Sequence, residues 1–258
     1  MRRVMLCVAV VAWACSSKGS DTGAAGASSG AAVTPQGGSA AGPTGNATIS
    51  GVVSFSGTAP ANPKIDMSQE SACAAKYTTP PTDPEYVVAN GKLGNVFVYV
   101  KSGLPAGAKY AAPAEPVVID QSGCLYHPRV FGALVGQKVE IKNSDPLLHN
   151  IKAVPTKQRG FNISQPGQGM TSTRVFDTEE VMVPLQCNVH GWMHAFVGVL
   201  SHPYFATSNP DGSFSIKGLP PGTYTIEAWH EKLGTQTTTV TVGAGETKTA
   251  DFSFGTKA

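Results

Sequence analysis

Between Asn209 and Phe254, apolar and polar residues alternate in short runs, and each run ends in a turn signal. A period of two sends successive side chains to opposite faces of an extended chain, the pattern of a half-buried strand. Asp211-Gly212 sets a hairpin turn before Ser213-Phe214-Ser215-Ile216, and Pro220-Pro221-Gly222 sets the next before Thr223 to Ile226. Two more alternating runs, Thr237 to Val242 and Thr247 to Phe254, are separated by Gly243-Ala244-Gly245. The 258 residues include 29 glycines and 19 prolines, and the apolar runs are short and rich in Val, Thr, Ile and Phe. Such punctuation describes an all-β protein with many turns, in one large or two small domains. Charged residues are only 14% of the chain, the net charge is +2, and neither Lys nor Arg clusters, which argues against nucleic acid as a partner.

The N-terminus reads as a targeting device. Arg2 and Arg3 precede the apolar run Val4 to Ala14, which is too short to span a bilayer, so residues 1–14 are expected to be a secretory signal. Ala12-Trp13-Ala14-Cys15 resembles a bacterial lipobox, with Trp13 an unusual occupant. That resemblance implies lipidation of Cys15 and a membrane anchor, the alternative being cleavage near Ala14 and simple secretion. Residues 16 to 47 are nearly all Ala, Gly, Ser and Thr and cannot bury a core, so 15–47 is expected to be a flexible tether. The protein is then exported to the periplasmic or cell-surface side as an outer-membrane-anchored lipoprotein.

Chemistry concentrates in Cys187-Asn188-Val189-His190-Gly191-Trp192-Met193, where a thiolate, an imidazole and a thioether fall within seven residues, and in His149 upstream. Two imidazoles, one thiolate and a weak thioether form the donor set of a type 1 copper site, in which soft sulfur suits Cu(I) and imidazole suits both states. Taken singly, Cys187 reads as half of a disulfide or a buried thiol, His190 as a surface residue and Met193 as core filler. Zinc would take the Cys and both His but prefers a fourth hard or thiolate ligand.

The stretch from Tyr126-His127-Pro128 through Asn143-Ser144-Asp145 to His149-Asn150 resembles the cupredoxin pattern of aromatic-x-Pro, strand, Gly turn, strand, Asn-x-Asp and His-Asn. Cys-x2-His-x2-Met resembles the short ligand loop of amicyanins. The resemblance covers about residues 114 to 201 and implies a Greek-key sandwich holding one copper ion through His149, Cys187, His190 and Met193, with Asn150 tying the two ligand loops together. It also implies buried His149 and Cys187 and a His190 exposed at its ring edge, through which electrons pass. Trp192, Pro146, Leu147 and Leu148 would surround that edge as a small docking face for a redox protein partner. An enzyme is the less favoured alternative: Gln186 and Asn188 flank Cys187 where a second copper centre would need His, leaving His194, with His202, as the candidate. A non-catalytic copper-binding or structural surface lipoprotein is the other.

Asp-Gly-x-Phe followed by Leu-Pro-x-Gly-x-Tyr, at 211–224, resembles the carboxypeptidase regulatory-like β-sandwich, a second and smaller domain over 202–258. Thr48 to Gly57 looks like its missing first strand and Asn95 to Lys101 like its second, within a region 48–113 that would belong to the same sandwich. The cupredoxin-like part would then be an insertion, with a tandem arrangement as the alternative. Cys73 and Cys124 remain as an even pair in an oxidising compartment, for which a disulfide is the default. A second metal site using Cys124 and His127 is the alternative. A 73–124 bond would staple the Pro-rich stretch from Pro60 to Pro84 onto the cupredoxin-like core.

Overall fold

The computed structural model describes Gly42 and residues 44–256; the expected signal segment, Cys15 and nearly all of the expected tether lie outside the described residues. The described chain is almost entirely strand, arranged as four sheets in two facing pairs, with one short helix at Ser71–Ala74.

In the first pair, strand Ala47–Ser56 lies antiparallel to Ser213–Leu219 on one side and parallel to Thr247–Thr249 and Phe252–Gly255. The facing sheet runs Phe205–Thr207, Phe97–Ser102, Gly222–His230, Gly234–Val242. Alternation in these strands sends Ile49, Val98, Ile216, Tyr224, Ile226 and Phe254 into one shared core. The chain leaves this core after Tyr110 and re-enters it at Tyr204. At the Asp211-Gly212 turn, Asp211 Oδ1 accepts the Ser213 N–H at 2.9 Å and Gly212 sits at φ +77°, where a side chain would also strike Val53 O.

The second pair is built from residues 117–200. One sheet runs Phe161–Gln165, His149–Ala153, Glu180–Gln186, His194–Leu200, Val130–Leu134; the other runs Thr171–Val175, Lys138–Asn143, Val117–Ser122, Leu125–His127. Ile119, Phe131, Ile141, Ile151, Val183 and Val197 are among the side chains between them. Glycine in a strand normally weakens it. Here Gly132 and Gly198 leave room for the rings of Phe205 and Phe97 from the first pair, whose atoms would lie 2.2 and 2.5 Å from an added Cβ. Tyr99, Val130, Leu134 and Leu200 complete this contact between the two sandwiches. At its edge, buried Arg129 donates to Glu231 at 2.5 and 2.9 Å and to Asp83 at 2.5 Å, which ties residue 83 to both.

His230, at the end of strand Gly222–His230, is only 1% exposed and its Nδ1 accepts the Lys232 N–H. Burial, with Arg129 and Lys232 as neighbouring cations, pushes its pKa down from 6.5 to about 4. The unfolded chain therefore binds a proton between those values that the folded chain refuses. The associated stability is fully present above pH 6.5 and is lost as pH falls toward 4, by roughly 3 kcal/mol. The His230→Gln protein should lose about that much less than the native chain between pH 7 and pH 4, read from urea unfolding at both values.

Candidate metal centre

His149 opens one strand, and Cys187 follows the end of the strand beside it, Glu180–Gln186. A tight loop then leads to strand His194–Leu200. Within it the Met193 N–H donates to His190 O at 2.9 Å, the Cys187 N–H donates to Met193 O at 3.2 Å, and the His190 N–H donates to Cys187 Sγ at 3.3 Å. The loop thus wraps the sulfur. Asn150 ties it to the His149 strand by accepting the Asn188 N–H at 3.1 Å, while its own amide donates to Asn162 Oδ1 and Ile163 O.

All four predicted donors are buried: His149 and Met193 at 0%, His190 at 2% and Cys187 at 4% exposure. The Nδ1 atoms of His149 and His190 lie 3.0 Å apart, and Cys187 Sγ lies 3.9 Å from His190 Nδ1. Two nitrogens about 2.0–2.1 Å from a shared ion stand roughly 3 to 3.5 Å apart, and a sulfur at about 2.3 Å stands roughly 3.6 to 4 Å from each. These two separations suit a shared transition-metal ion, and the ligand atoms of all three residues lie within 4.8 Å of one another. Cys187 is free of any disulfide, so its sulfur is available. Met193 packs in the same core cluster as Cys187.

The electrostatics favour deprotonated sulfur. Burial opposes ionisation of Cys187, but hydrogen bonds from His149 and from the backbone at His190, Asn150 and Val189 outweigh it and pull the thiol below its ordinary value. Burial and the neighbouring His149 also push His190 down, toward the neutral imidazole that binds metals.

The expected exposed edge of His190 is corrected by the fold. Its Nε2 faces Cys73 Sγ at 3.9 Å and Glu70 Oε2 at 3.8 Å, both from the stretch around helix Ser71–Ala74. Cys73 and Cys124 are bonded to each other, which holds that stretch over the site. Trp192, expected on the docking face, is half-buried beneath the same cover; it donates to Cys124 O at 3.0 Å, and Ile65, Met67 and the disulfide pack in its cluster. Leu147 belongs to that cluster too, whereas Pro146 and Leu148 stay exposed. Cys124 is spent on the disulfide, so a metal site with His127 has no thiolate.

Asp145, read from sequence only as part of the Asn-x-Asp element, is the residue whose role sequence reasoning missed. Its carboxylate accepts the His149 Nε2–H at 2.8 Å. The spacing of four residues before His149, with Asn143 Oδ1 capping the Asp145 N–H at 3.0 Å, is the one local signal that points to it.

Among the described residues, one group of potential metal ligands is His149, Cys187 and His190; the other, Cys124, Asp145 and His149, shares His149 and contains the disulfide sulfur. Residues 194–255 match the family model of the carboxypeptidase regulatory-like domain. Solved structures similar to this chain include a Cu-containing nitrite reductase from Thermus scotoductus SA-01, at 22% identity, 38% coverage of this chain, 25% of that chain and TM-score 0.31. A purple cupredoxin from Nitrosopumilus maritimus is similar at 23% identity, with 32% and 98% coverage and TM-score 0.28. A point variant of amicyanin in the Cu(I) state is similar at 17% identity, with 41% and 98% coverage and TM-score 0.30. No curated protein matches. The chain spans a quarter of the nitrite reductase it resembles.

Proposed function

We propose that this protein is an exported electron carrier that holds one copper ion through His149, Cys187 and His190, with Met193 supplying a weak fourth donor. The observation that carries the reading is the convergence of two imidazole Nδ1 atoms and one free thiol in a buried pocket, at spacings that suit a shared ion. Bound copper supplies a one-electron couple at that point. The protein's own residues do the rest. Asn150 and the loop hydrogen bonds hold the donors in one arrangement, which keeps reorganisation small when the charge changes. The disulfide-held cover keeps water away from His190.

Anchoring through lipids on Cys15 and a flexible 15–47 tether would keep such a carrier near membrane partners without fixing its orientation. Those partners are redox proteins, and Pro146 and Leu148 offer them an exposed apolar rim beside His149. The burial of His190 also favours a second reading, a protein that holds copper rather than passing electrons.

A spectroelectrochemical titration of the copper-loaded protein separates the two. The carrier reading expects an intense visible band that bleaches and returns reversibly with a one-electron slope. A band that bleaches irreversibly, with release of copper on reduction, would reject the carrier and favour the holding protein.

A further inference from the structure

The Asp145 carboxylate is 2% exposed, and four donors converge on it. Oδ2 accepts from His149 Nε2 at 2.8 Å and from the Cys124 N–H at 2.7 Å; Oδ1 accepts from the Gly123 N–H at 3.0 Å and from Lys76 Nζ at 2.9 Å. An ionised carboxylate only accepts, so the proton between it and His149 must sit on His149 Nε2. In the neutral ring, the form that binds metals, His149 Nδ1 is then the lone-pair atom, and it is the atom 3.0 Å from His190 Nδ1. Two of the four contacts, Cys124 and Lys76, belong to the disulfide-bonded loop and to the covering segment. The cover therefore reaches both imidazoles: His190 through Glu70 and Cys73, and His149 through Lys76 and Asp145.

We propose that Asp145 is the positioning residue of the metal centre: it locks His149 in the Nε2–H tautomer with Nδ1 turned to the other donors, and its negative charge, balanced by Lys76 from the cover, sets how strongly the site prefers Cu(II) to Cu(I). The inference rests on the copper reading for its second half and on geometry alone for its first. A carboxylate hydrogen-bonded to a metal-binding imidazole makes that imidazole a better donor, and removing such partners typically costs about 10- to 100-fold in metal affinity. The extra donor strength is felt most by the higher charge, so its loss weakens Cu(II) binding more than Cu(I) binding. Lys76 acts in the opposite sense. It draws charge from the carboxylate, less effectively because its side chain is 29% exposed and partly screened.

The test compares Asp145→Asn and Lys76→Met with the native chain. The Asp145→Asn side chain would present an amide N–H₂ to two of the four donors, so that variant risks misfolding; the Lys76 change sits on the cover and leaves the carboxylate in place. In Asp145→Asn, Cu(II) affinity should fall about 10- to 100-fold with a smaller loss for Cu(I), and the reduction potential should rise. Each tenfold difference between the two states corresponds to about 59 mV for a one-electron couple. In Lys76→Met the potential should fall, by a few-fold equivalent. Nitrogen-15 NMR of the metal-free native protein, at a pH high enough for the ring to be neutral, should show His149 as a single Nε2–H tautomer. A purely structural role would move both potentials the same way or neither, and either result overturns the proposal, as does a neutral His149 protonated on Nδ1 in place of Nε2. Native protein that takes up no copper would reject the metal reading and, with it, the charge-setting role, while the NMR result still decides the positioning role.

Discussion

Copper-loaded Cys187→Ser protein is expected to lose its intense visible band entirely. The colour of such a centre comes from charge transfer between a thiolate sulfur and Cu(II), and a serine hydroxyl, which stays protonated and binds as a hard, weak donor, cannot supply it. Nothing in the local structure should collapse with the change. Cys187 accepts the His190 N–H, which a hydroxyl oxygen can also accept, and the shape of the pocket is set by the loop's backbone bonds. Far-UV circular dichroism should therefore be unchanged while the band near the visible maximum disappears and Cu(II) affinity falls by orders of magnitude. Met193→Leu gives the contrasting result: copper and colour are retained and the potential rises, because a weak donor to Cu(II) is gone. An intense band surviving in Cys187→Ser would remove Cys187 from the site.

The second large effect belongs to the Cys73–Cys124 bond. Its 51-residue separation implies a stabilisation of about 4 kcal/mol on the chain-entropy model. For a chain of this size each kcal/mol moves Tm by roughly 2–4 °C, so the Cys73→Ser, Cys124→Ser double variant should melt about 8–16 °C lower. Copper content and the visible band should persist, because neither cysteine belongs to the donor set. The functional consequence is at His190. With its covalent tie removed, the segment from Ile65 to Tyr77 is held by its packing on Trp192 and Leu147, by the Tyr77, Lys76 and Ile65 hydrogen bonds and by Glu70 against His190. The His190 edge then becomes accessible, and oxidation of the reduced protein by a small hydrophilic oxidant such as ferricyanide should accelerate at least tenfold, a gain of about 1.4 kcal/mol in barrier. A lowered Tm with an unchanged oxidation rate would mean that the segment stays seated without its bond.

What was legible in the sequence follows the range of the interactions involved. Period-two alternation in Ser213–Leu219, Gly222–His230 and Gly234–Val242 is a local property, and those strands form where the pattern places them. The ligand loop is equally local. Met193 follows Cys187 within a single short loop, and the loop's hydrogen bonds run among its own residues. The position of His149 beside them required knowing that its strand pairs with Glu180–Gln186.

The cover over His190 was illegible for a matching reason. Residues 60 to 84 carry no period and little secondary structure, so nothing in their own pattern says where they pack. The long-range bond to Cys124 helps bring Glu70 and Cys73 onto the imidazole. His190 was expected at the surface because the resemblance covers residues 114 to 201 and is silent about the covering segment. Asp145 was passed over because Asn-x-Asp reads locally, as a turn would, and here it serves at long range too. Its N–H is capped by Asn143 while its carboxylate turns inward to His149. Gly132 and Gly198 show the same limit, since glycines inside strands look like weak points until Phe205 and Phe97 arrive from another sandwich.

The most direct test of the copper assignment is copper-edge X-ray absorption on the protein loaded with one equivalent of copper. The donor geometry predicts one sulfur scatterer at about 2.1–2.3 Å and two imidazole nitrogens at about 2.0 Å, with the sulfur shell absent in Cys187→Ser. A first shell of nitrogen and oxygen alone in the native protein, or a sulfur shell unchanged by the Cys187 substitution, would contradict the assignment of this pocket as the copper centre.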